Sequence, residues 1–338
     1  MKTINWDILS LTRFLLAFVI IVLHLKHLMD IGSLLQWYLH LGFFEAILGF
    51  LLISGFSIGK SIVGNRENFL VRRIKRIYPV YLATIIFHLA IVSVPINSRS
   101  VFIVVMNLLF MNTMVTSGAV LKHAWTLSLE VWLYFLAPIF INLTKKTLLW
   151  LIMISLLSYI IYTCGRSLYD WRYYADTNYG INLITLAFIW IAGFCLAKYP
   201  EDKKKMTLLI AIILVTHLGL VIGIQTVYRI KNHAIDLLVF DIPSFTGRII
   251  CVTYVFIVVL FNHKIPAFNP FAHKVANFLG NISYPLYLAH YPTYLLLKKL
   301  GITTPALNII AALAVSVIMY YLFDFYTKMR KVPDSSLP

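Results

Sequence analysis

Apolar residues recur along nearly the whole chain in runs of about 20, separated by short polar stretches. An α-helix of that length matches the thickness of the hydrocarbon core of a bilayer. The pattern predicts an all-α fold: a polytopic helical membrane bundle of about ten transmembrane helices. The predicted spans cover residues 8–28, 42–60, 77–95, 127–144, 147–163, 181–197, 206–224, 245–262, 276–297 and 303–325.

One further apolar run, residues 101–114, is short for a full crossing and predicts a re-entrant or interfacial helix. The loop charges favour that interpretation. If the run does not cross and the N-terminus is cytoplasmic, most of the 29 Lys and Arg residues lie in cytoplasmic segments. If it does cross, the basic segment 198–205 moves outside and the bias disappears. We therefore expect ten crossings with both termini cytoplasmic.

The composition narrows the class of protein. Hydrophobic residues make up 60% of the chain and charged residues only 12%, against about 25% charged in soluble domains. The net charge of +16 is explained by cytoplasmic loops and anionic lipid, so no nucleic-acid partner is expected. The three cysteines lack metal or redox spacing, and no metal site is predicted. We expect one integral membrane domain, residues 1–330, with a short cytoplasmic tail, 331–338.

The first span carries two ionisable residues, Arg13 and His24. They are 11 residues apart, close to three helical turns, which places them on one face about 16 Å apart along the axis. Placing an ionisable group within a span costs free energy, so such groups usually point into the bundle, where they have a function. A snorkelling Arg13 and an interfacial His24 are the structural alternatives.

The segment HAWTLSLE places Trp125, Thr126, Ser128 and Glu130 at the start of the fourth predicted crossing. A carboxylate one turn into a span is expected to face away from lipid, because burying an unpaired charge in hydrocarbon is costly. His24 and Glu130 near one membrane face predict the pair of base and orienting group that general-base chemistry needs. A structural hydrogen bond at a helix start is the alternative.

The ninth span contains the segment ISYPLYLAHYP. Its residues Tyr284, Tyr287 and His290 are spaced three apart and predict one polar helical face, and Pro285 predicts a kink. This arrangement is typical of a substrate cavity, with aromatic packing as the alternative. In the second span, Ser54 lies beside a glycine, where small residues let helices approach closely.

The segment RRIKRIYPVYL is the most concentrated cluster of cations beside an apolar run. Arg73 and Arg76 are three apart and face the same way on a helix, whereas Arg72 and Lys75 are expected to be exchangeable for other cations. Pro79 is predicted to lie in the first turn of the third span and to direct the helix away from the interface. Arginine pairs of this kind suit phosphate.

The order of these motifs resembles the acyltransferase-3 family of integral membrane acyltransferases. The motifs are Arg13-x10-His24, SGF in the second span, RRIKRIYP, WTLSLEVWLY and ISYPLYLAH. The resemblance covers nearly the whole chain, and the RxxR-I-x-P pattern is its most specific part. Thr126 stands where the family often has Ser, and Leu133 where an aromatic residue is common. We expect no esterase-like extracytoplasmic domain of the kind that some members carry.

The resemblance implies transfer of an acyl group, commonly acetyl, from cytoplasmic acyl-CoA to a hydroxyl outside the membrane. Acceptors would be O-antigen, capsule or other surface glycans, free or lipid-linked, at a bacterial inner membrane. Acyl-CoA would be a substrate, with no permanently bound cofactor. By this resemblance His24 is catalytic, as general base or transient acyl carrier, and Arg13, Arg73 and Arg76 bind the donor.

Two other classes of function remain open from the sequence. Ten spans with intramembrane Arg and His also suit a transporter or flippase for a polar or anionic substrate, although no repeated halves are found. A membrane sensor without chemistry is the third class. It would leave the arginine pair and the Arg13–His24 face unexplained.

Overall fold

The structure is a computed structural model that describes residues 4–93 and 95–325, with side chains up to residue 323. Within these residues every regular element is helical, and the ten long helices occupy the ten predicted spans. They are α1 (Trp6–Lys26), α3 (Phe43–Gly64), α4 (Phe69–Ile91), α6 (Trp125–Phe140), α7 (Lys145–Tyr169), α8 (Ile181–Lys198), α9 (Lys203–Lys231), α10 (Leu238–Phe261), α11 (Pro270–Lys299) and α12 (Pro305–Met319). The all-α prediction is confirmed.

Two shorter helices complete the bundle. The helix α5 (Ser98–Leu108) confirms the predicted short element, but the chain turns at its end instead of remaining helical to residue 114. The helix α2 (Gly32–Leu39) was not predicted. The helix α12 continues into a π-helical turn, Tyr320–Phe325. The predicted tail, 331–338, lies outside the described residues.

Eight helical segments of the described chain are long and apolar enough to cross a membrane. The helices α6 and α11 are outside this set. At 16 residues, α6 spans about 24 Å, less than the hydrocarbon core of about 30 Å. The 30-residue α11 is long enough but carries many polar side chains. A membrane bundle is therefore established, and ten crossings remain a prediction.

The start of α4 differs from the prediction. Because Arg and Lys are good helix formers, the helix begins at Phe69 and includes the whole cation cluster. Pro79 consequently lies in the helix interior, where it removes the hydrogen bond to the carbonyl of Lys75. The prediction that Pro79 occupies the first turn is wrong, whereas its effect on the direction in which the helix leaves the interface stays a prediction.

The helices α3 and α8 pack most closely, at the centre of the bundle. A Cβ atom on Gly55 would lie 1.9 Å from the carbonyl oxygen of Trp190, and one on Gly193 would lie 2.4 Å from that of Leu52. Side chains larger than hydrogen would separate the backbones. The predicted role of small residues in the second span, close helix approach, is confirmed.

The helices α1 and α11 run parallel along one side of the bundle. Asp7 Oδ2 is 2.8 Å from His273 Nδ1 near their N-terminal ends, and His24 meets His290 near the other. A Cβ on Gly280 would lie 2.5 Å from the Cβ of Ser10, so the two helices are in close contact between these points. This pairing brings the Arg13–His24 face beside the polar face of α11.

A buried polar network joins α3, α9 and α10. Oε1 of the fully buried Glu45 side chain lies 2.6 Å from Arg248 Nη1 and 3.2 Å from His217 Nε2. His217 Nδ1 is in turn 2.7 Å from the hydroxyl of Tyr159 on α7. Because a buried charge must be paired, this network fixes how these helices pack.

Candidate functional site

Five helices, α1, α3, α4, α6 and α11, enclose a cavity of about 140 Å³. Its size is close to that of cavities that hold a benzene-sized ligand, about 150 Å³. Most of the predicted site residues line it. They are Arg13, Ser54, Arg73, Arg76, Glu130, Tyr284 and Tyr287. Site residues predicted separately on five helices therefore line one cavity.

Three guanidinium groups share this cavity. Arg13 donates from Nη2 to Ser57 Oγ (2.5 Å), which holds the side chain along α3. Arg73 lies over the ring of Phe69, and its buried Nε has no hydrogen-bond partner within the described part of the chain. Arg76 is exposed at one end. Three like charges around one space favour an anionic or strongly polar ligand.

The carboxylate of Glu130 ends a chain of hydrogen bonds across the cavity wall. Tyr134 donates to Glu130 Oε2 (3.0 Å) and accepts from Ser54 Oγ (3.2 Å). Ser54 Oγ in turn accepts from Trp190 Nε1 (3.2 Å). Glu130 is thus positioned through α3 and α8, and Ser54 takes part in both packing and the polar wall.

The tyrosines of α11 bond to neighbouring helices. Tyr284 donates to the carbonyl of Ile77 (3.0 Å), one residue past the cation cluster of α4. Tyr287 donates to the carbonyl of His123 (3.1 Å) and lies 2.6 Å from Thr126 Oγ1. Both hydroxyls fix the position of α11 while their rings line the cavity.

Two predicted site residues lie in packed surroundings outside the cavity. Trp125 is 2% exposed and stacks on Tyr174. The hydroxyl of Ser128 is within hydrogen-bond distance of the carbonyls of Phe110 and Asn112. The structure gives these two side chains the helix-start and packing roles that were the alternatives.

A cluster of three histidines lies at one end of the bundle. His24 Nδ1 is 2.9 Å from His290 Nε2, with the two rings stacked. The ring of His123 meets that of His290 edge-on, with centroids 4.9 Å apart. His290 and His123 are buried, whereas His24 is half-buried. Among the described residues no hydrogen bond joins Glu130 to His24, so the predicted pair is not formed here.

The hydrogen bonds determine the tautomers of this pair when both rings are neutral. A carbonyl only accepts, so His290 Nδ1, 3.0 Å from the carbonyl of Leu286, carries the proton. His290 Nε2 is then an acceptor, and His24 must donate from Nδ1. His24 Nε2 is left with a free lone pair. That is the form a base or nucleophile requires.

His123 was not predicted as a site residue. Pro292 has no N–H, so the carbonyl of Leu288 lacks its helical partner, and His123 Nε2 fills that place at 2.8 Å. His123 Nδ1 is buried without a partner in the described chain. The sequence signal was its position next to the motif WTLSLE, but nothing local shows which carbonyl it meets.

The cavity and the histidine cluster are neighbours along two helices. On α1, Arg13 and Ile20 line the cavity, and His24 is one turn past Ile20 on the same face. On α11, Tyr287 lines the cavity and His290 follows one turn later. A cationic cavity, with an imidazole that has a free ring nitrogen one helical turn beyond it, can position an anionic ligand and accept a proton.

The same hydrogen bonds bear on metal binding. Within residues 4–93 and 95–325, no three His, Cys, Asp or Glu side chains are arranged to hold a metal ion. In the histidine cluster, four of the six ring nitrogens are already hydrogen-bonded: His290 Nδ1 and His123 Nε2 to the Leu286 and Leu288 carbonyls, and His24 Nδ1 to His290 Nε2. The arrangement suits proton transfer.

Comparison with known proteins agrees with the order of the motifs. A family model described as an acyltransferase domain, that of the acyltransferase-3 family, matches residues 6–324. No curated protein and no solved structure matches the chain significantly. The family match includes all five helices of the cavity and all three histidines. The chain therefore belongs to the acyltransferase-3 family of integral membrane acyltransferases.

Proposed function

We propose that the protein transfers an acyl group, commonly acetyl, from cytoplasmic acyl-CoA to a hydroxyl of an extracytoplasmic glycan at a bacterial inner membrane. The main support for this proposal is one cavity lined by three arginines, Arg13, Arg73 and Arg76. The hydrogen-bonded pair of His24 and His290 lies one helical turn beyond this cavity on α1 and α11. Family membership supports acyl transfer over the transport alternative.

The arginines suit the donor. The phosphates of CoA cannot enter hydrocarbon and need cations at the cytoplasmic mouth. In this proposal the exposed Arg76 lies at that mouth, while Arg73 and Arg13 lie deeper in the cavity. A cavity of about 140 Å³ has room for the thioester end of the donor and not for its nucleotide, which would stay beside Arg76.

His24 acts on the acceptor. Its Nε2 takes the proton of the acceptor hydroxyl while the hydroxyl oxygen attacks the carbonyl carbon of the thioester. The C–S bond breaks, and the proton passes to the departing thiolate, giving an ester and free CoA. His290 holds Nδ1–H of His24 throughout, which keeps Nε2 free. This geometry assigns the orienting role to His290, and Glu130 to the cavity wall.

The first test measures acyl transfer from labelled acetyl-CoA in membranes. His24→Ala is expected to lower the rate by at least about 100-fold. A rate near wild type would contradict the catalytic role. Labelled acyl groups trapped on the protein without acceptor would show that His24 is a transient carrier and not a base.

Donor binding is measured separately, as the rise in the unfolding midpoint when CoA is added. The rise should persist in His24→Ala and disappear in Arg73→Gln, because only the second change removes a phosphate contact. Lys75→Gln is the matched control, since it removes a cation from the same helix but does not line the cavity. Equal losses in Arg73→Gln and Lys75→Gln would show that the cluster acts only through its total charge and that Arg73 makes no specific phosphate contact.

A further inference from the structure

A second concave surface lies at the same end of the bundle as the histidine cluster. This Arg99 groove has a volume of about 620 Å³. Three segments line it: the start of α5, the turn at residues 116–118 with Lys122, and the loop after α7. Its charged residues are Arg99, Lys122, Arg172 and Asp176, all exposed. Three cations against one carboxylate make the groove electropositive.

These cations differ from Arg229 and Arg248 in having no acidic partner within the described chain. Arg229 is paired with Asp241, and Arg248 with Glu45. Within the described chain the side chains of Arg99, Lys122 and Arg172 form no ion pair and no hydrogen bond. Asp176 is near but does not pair with them. Their donors are therefore available to an external anion, and arginine presents two parallel N–H groups to a carboxylate or phosphate.

The groove also offers aromatic and hydroxyl groups. Phe102 is 47% exposed, and the ring of Tyr173 is fixed by the guanidinium of Arg166 at 4.7 Å. Thr116 and Ser117 add hydroxyls. Flat apolar rings beside donors and acceptors suit a sugar, which has both apolar faces and hydroxyl edges. Binding of an isolated phosphate ion would require only the cations and would make no use of these rings.

The location links the groove to the proposed chemistry. Lys122 directly precedes His123, whose ring lies 5.9 Å from that of His24. The groove therefore opens at the histidine end of the bundle, opposite the end at which Arg76 is exposed. An acceptor must approach from that side if the donor enters past Arg76.

We propose that the Arg99 groove is the acceptor site and that it selects an acidic glycan, one that carries a carboxylate or a phosphate close to the hydroxyl to be acylated. This inference rests on the proposed function and makes it specific. Arg99 and Arg172 hold the acidic group, Phe102 and Tyr173 contact the sugar faces, and the neighbouring hydroxyl lies towards His24.

Binding to the protein in phosphatidylcholine nanodiscs tests this proposal. The acidic probes are an oligogalacturonate and a glycerol-phosphate oligomer, and a maltooligosaccharide of similar length is the neutral probe. The groove variant is R99Q/R172Q, which leaves Lys122 and the adjacent His123 in place. The control is K231Q/K298Q, which removes two exposed cations from the same end of the bundle outside the groove.

We expect at least one acidic probe to bind more tightly than the neutral one, with an affinity that falls as salt rises. R99Q/R172Q should weaken this binding by about tenfold or more, and K231Q/K298Q by less than about twofold. The proposal is overturned if neither acidic probe binds more tightly than the neutral one, or if both variants lose the same amount of affinity for the acidic probe. It is also overturned by a groove-dependent stabilisation by phosphatidylglycerol nanodiscs without glycan binding, which would mark a lipid headgroup site.

Stabilisation by CoA, measured on the same samples, distinguishes a failure of the groove proposal from a failure of the proposed function. If CoA stabilises the wild type and R99Q/R172Q alike while acidic glycans do not bind, the groove proposal alone fails. If CoA has no effect on the wild type, the proposed donor, and with it the proposed function, is wrong.

Discussion

The hydrogen bond between His24 and His290 joins two residues 266 positions apart. Each ring has a defined role: His290 is anchored to the Leu286 carbonyl, and His24 keeps Nε2 free. In the proposed reaction His24 acts on the acceptor, and its tautomer depends on His290, which has no contact with substrate in this scheme. His290 is a positioning residue in this scheme.

Replacing His290 therefore has a specific expected result. His290→Ala removes the acceptor for His24 Nδ1–H, so both tautomers of His24 become populated, and kcat should fall by at least about tenfold. His290→Gln places an amide oxygen near the position of Nε2 and should recover part of the rate. The measurement is kcat for acyl transfer, together with stabilisation by CoA and the unfolding midpoint.

A purely structural role for His290 would give a different pattern. The unfolding midpoint and the stabilisation by CoA would then fall along with kcat in His290→Ala. His290→Gln would not restore kcat unless it also restored the unfolding midpoint. A loss of kcat with both other readouts unchanged supports positioning.

At the scale of elements, the central contact is the one between α3 and α8. Gly55 and Gly193 allow the backbones to touch, and Ser54 in the same contact accepts from Trp190 and donates to Tyr134 of the cavity wall. The position of the polar wall therefore depends on how closely these two helices approach.

Gly55→Ala tests this contact. The added methyl would lie 1.9 Å from the carbonyl oxygen of Trp190, so the helices must separate, and we expect a loss of about 1–3 kcal/mol in the free energy of unfolding. Thermal unfolding in detergent, followed by tryptophan fluorescence, measures the change. Gly219→Ala on α9 is the control, because a Cβ there meets nothing within 4 Å. Its midpoint should be unchanged or slightly higher, since alanine favours helix. Equal midpoints for the two variants would refute the close approach.

At the scale of the whole molecule, the buried Glu45 network connects the helices outside the cavity to α3. Glu45 is fully buried, and its partners Arg248 and His217 lie on α10 and α9. Arg229 and Asp241 form the comparable pair between the same two helices, but it is partly exposed.

Glu45→Gln keeps the size of the side chain and removes its charge. Arg248 then loses its counter-charge and the fully buried side chain at position 45 loses a charge-assisted hydrogen bond, so we expect a loss of about 1–3 kcal/mol in the free energy of unfolding. Asp241→Asn breaks an ion pair near water and should cost clearly less, since solvent screens that pair. Denaturation in detergent compares the two variants. A loss from Asp241→Asn as large as that from Glu45→Gln would show that burial of the network has no special effect.

Much of this protein is determined by local sequence. The ten long helices lie where apolar runs predicted them, because a run of about 20 apolar residues and the thickness of a bilayer impose the same length. Helical periodicity placed Arg13 and His24 on one face, and Arg73 with Arg76 on another, because both are short-range relations within one helix. The start of α4 and the position of Pro79 differ from the prediction because the residues of the cation cluster, whose charge predicts the end of the span, are also good helix formers.

The partners of the functional groups were decided only by tertiary structure. The sequence places His24 and Glu130 near the same membrane face and therefore predicts that they pair. In the structure, the packing of α1 along α11 pairs His24 with His290, and Glu130 accepts a hydrogen bond from Tyr134. The contact of His123 with Leu288 needs a carbonyl that Pro292 leaves free on another helix. Such contacts depend on how helices distant in sequence pack, and spacing along one helix carries no record of the side chain that faces it across the bundle.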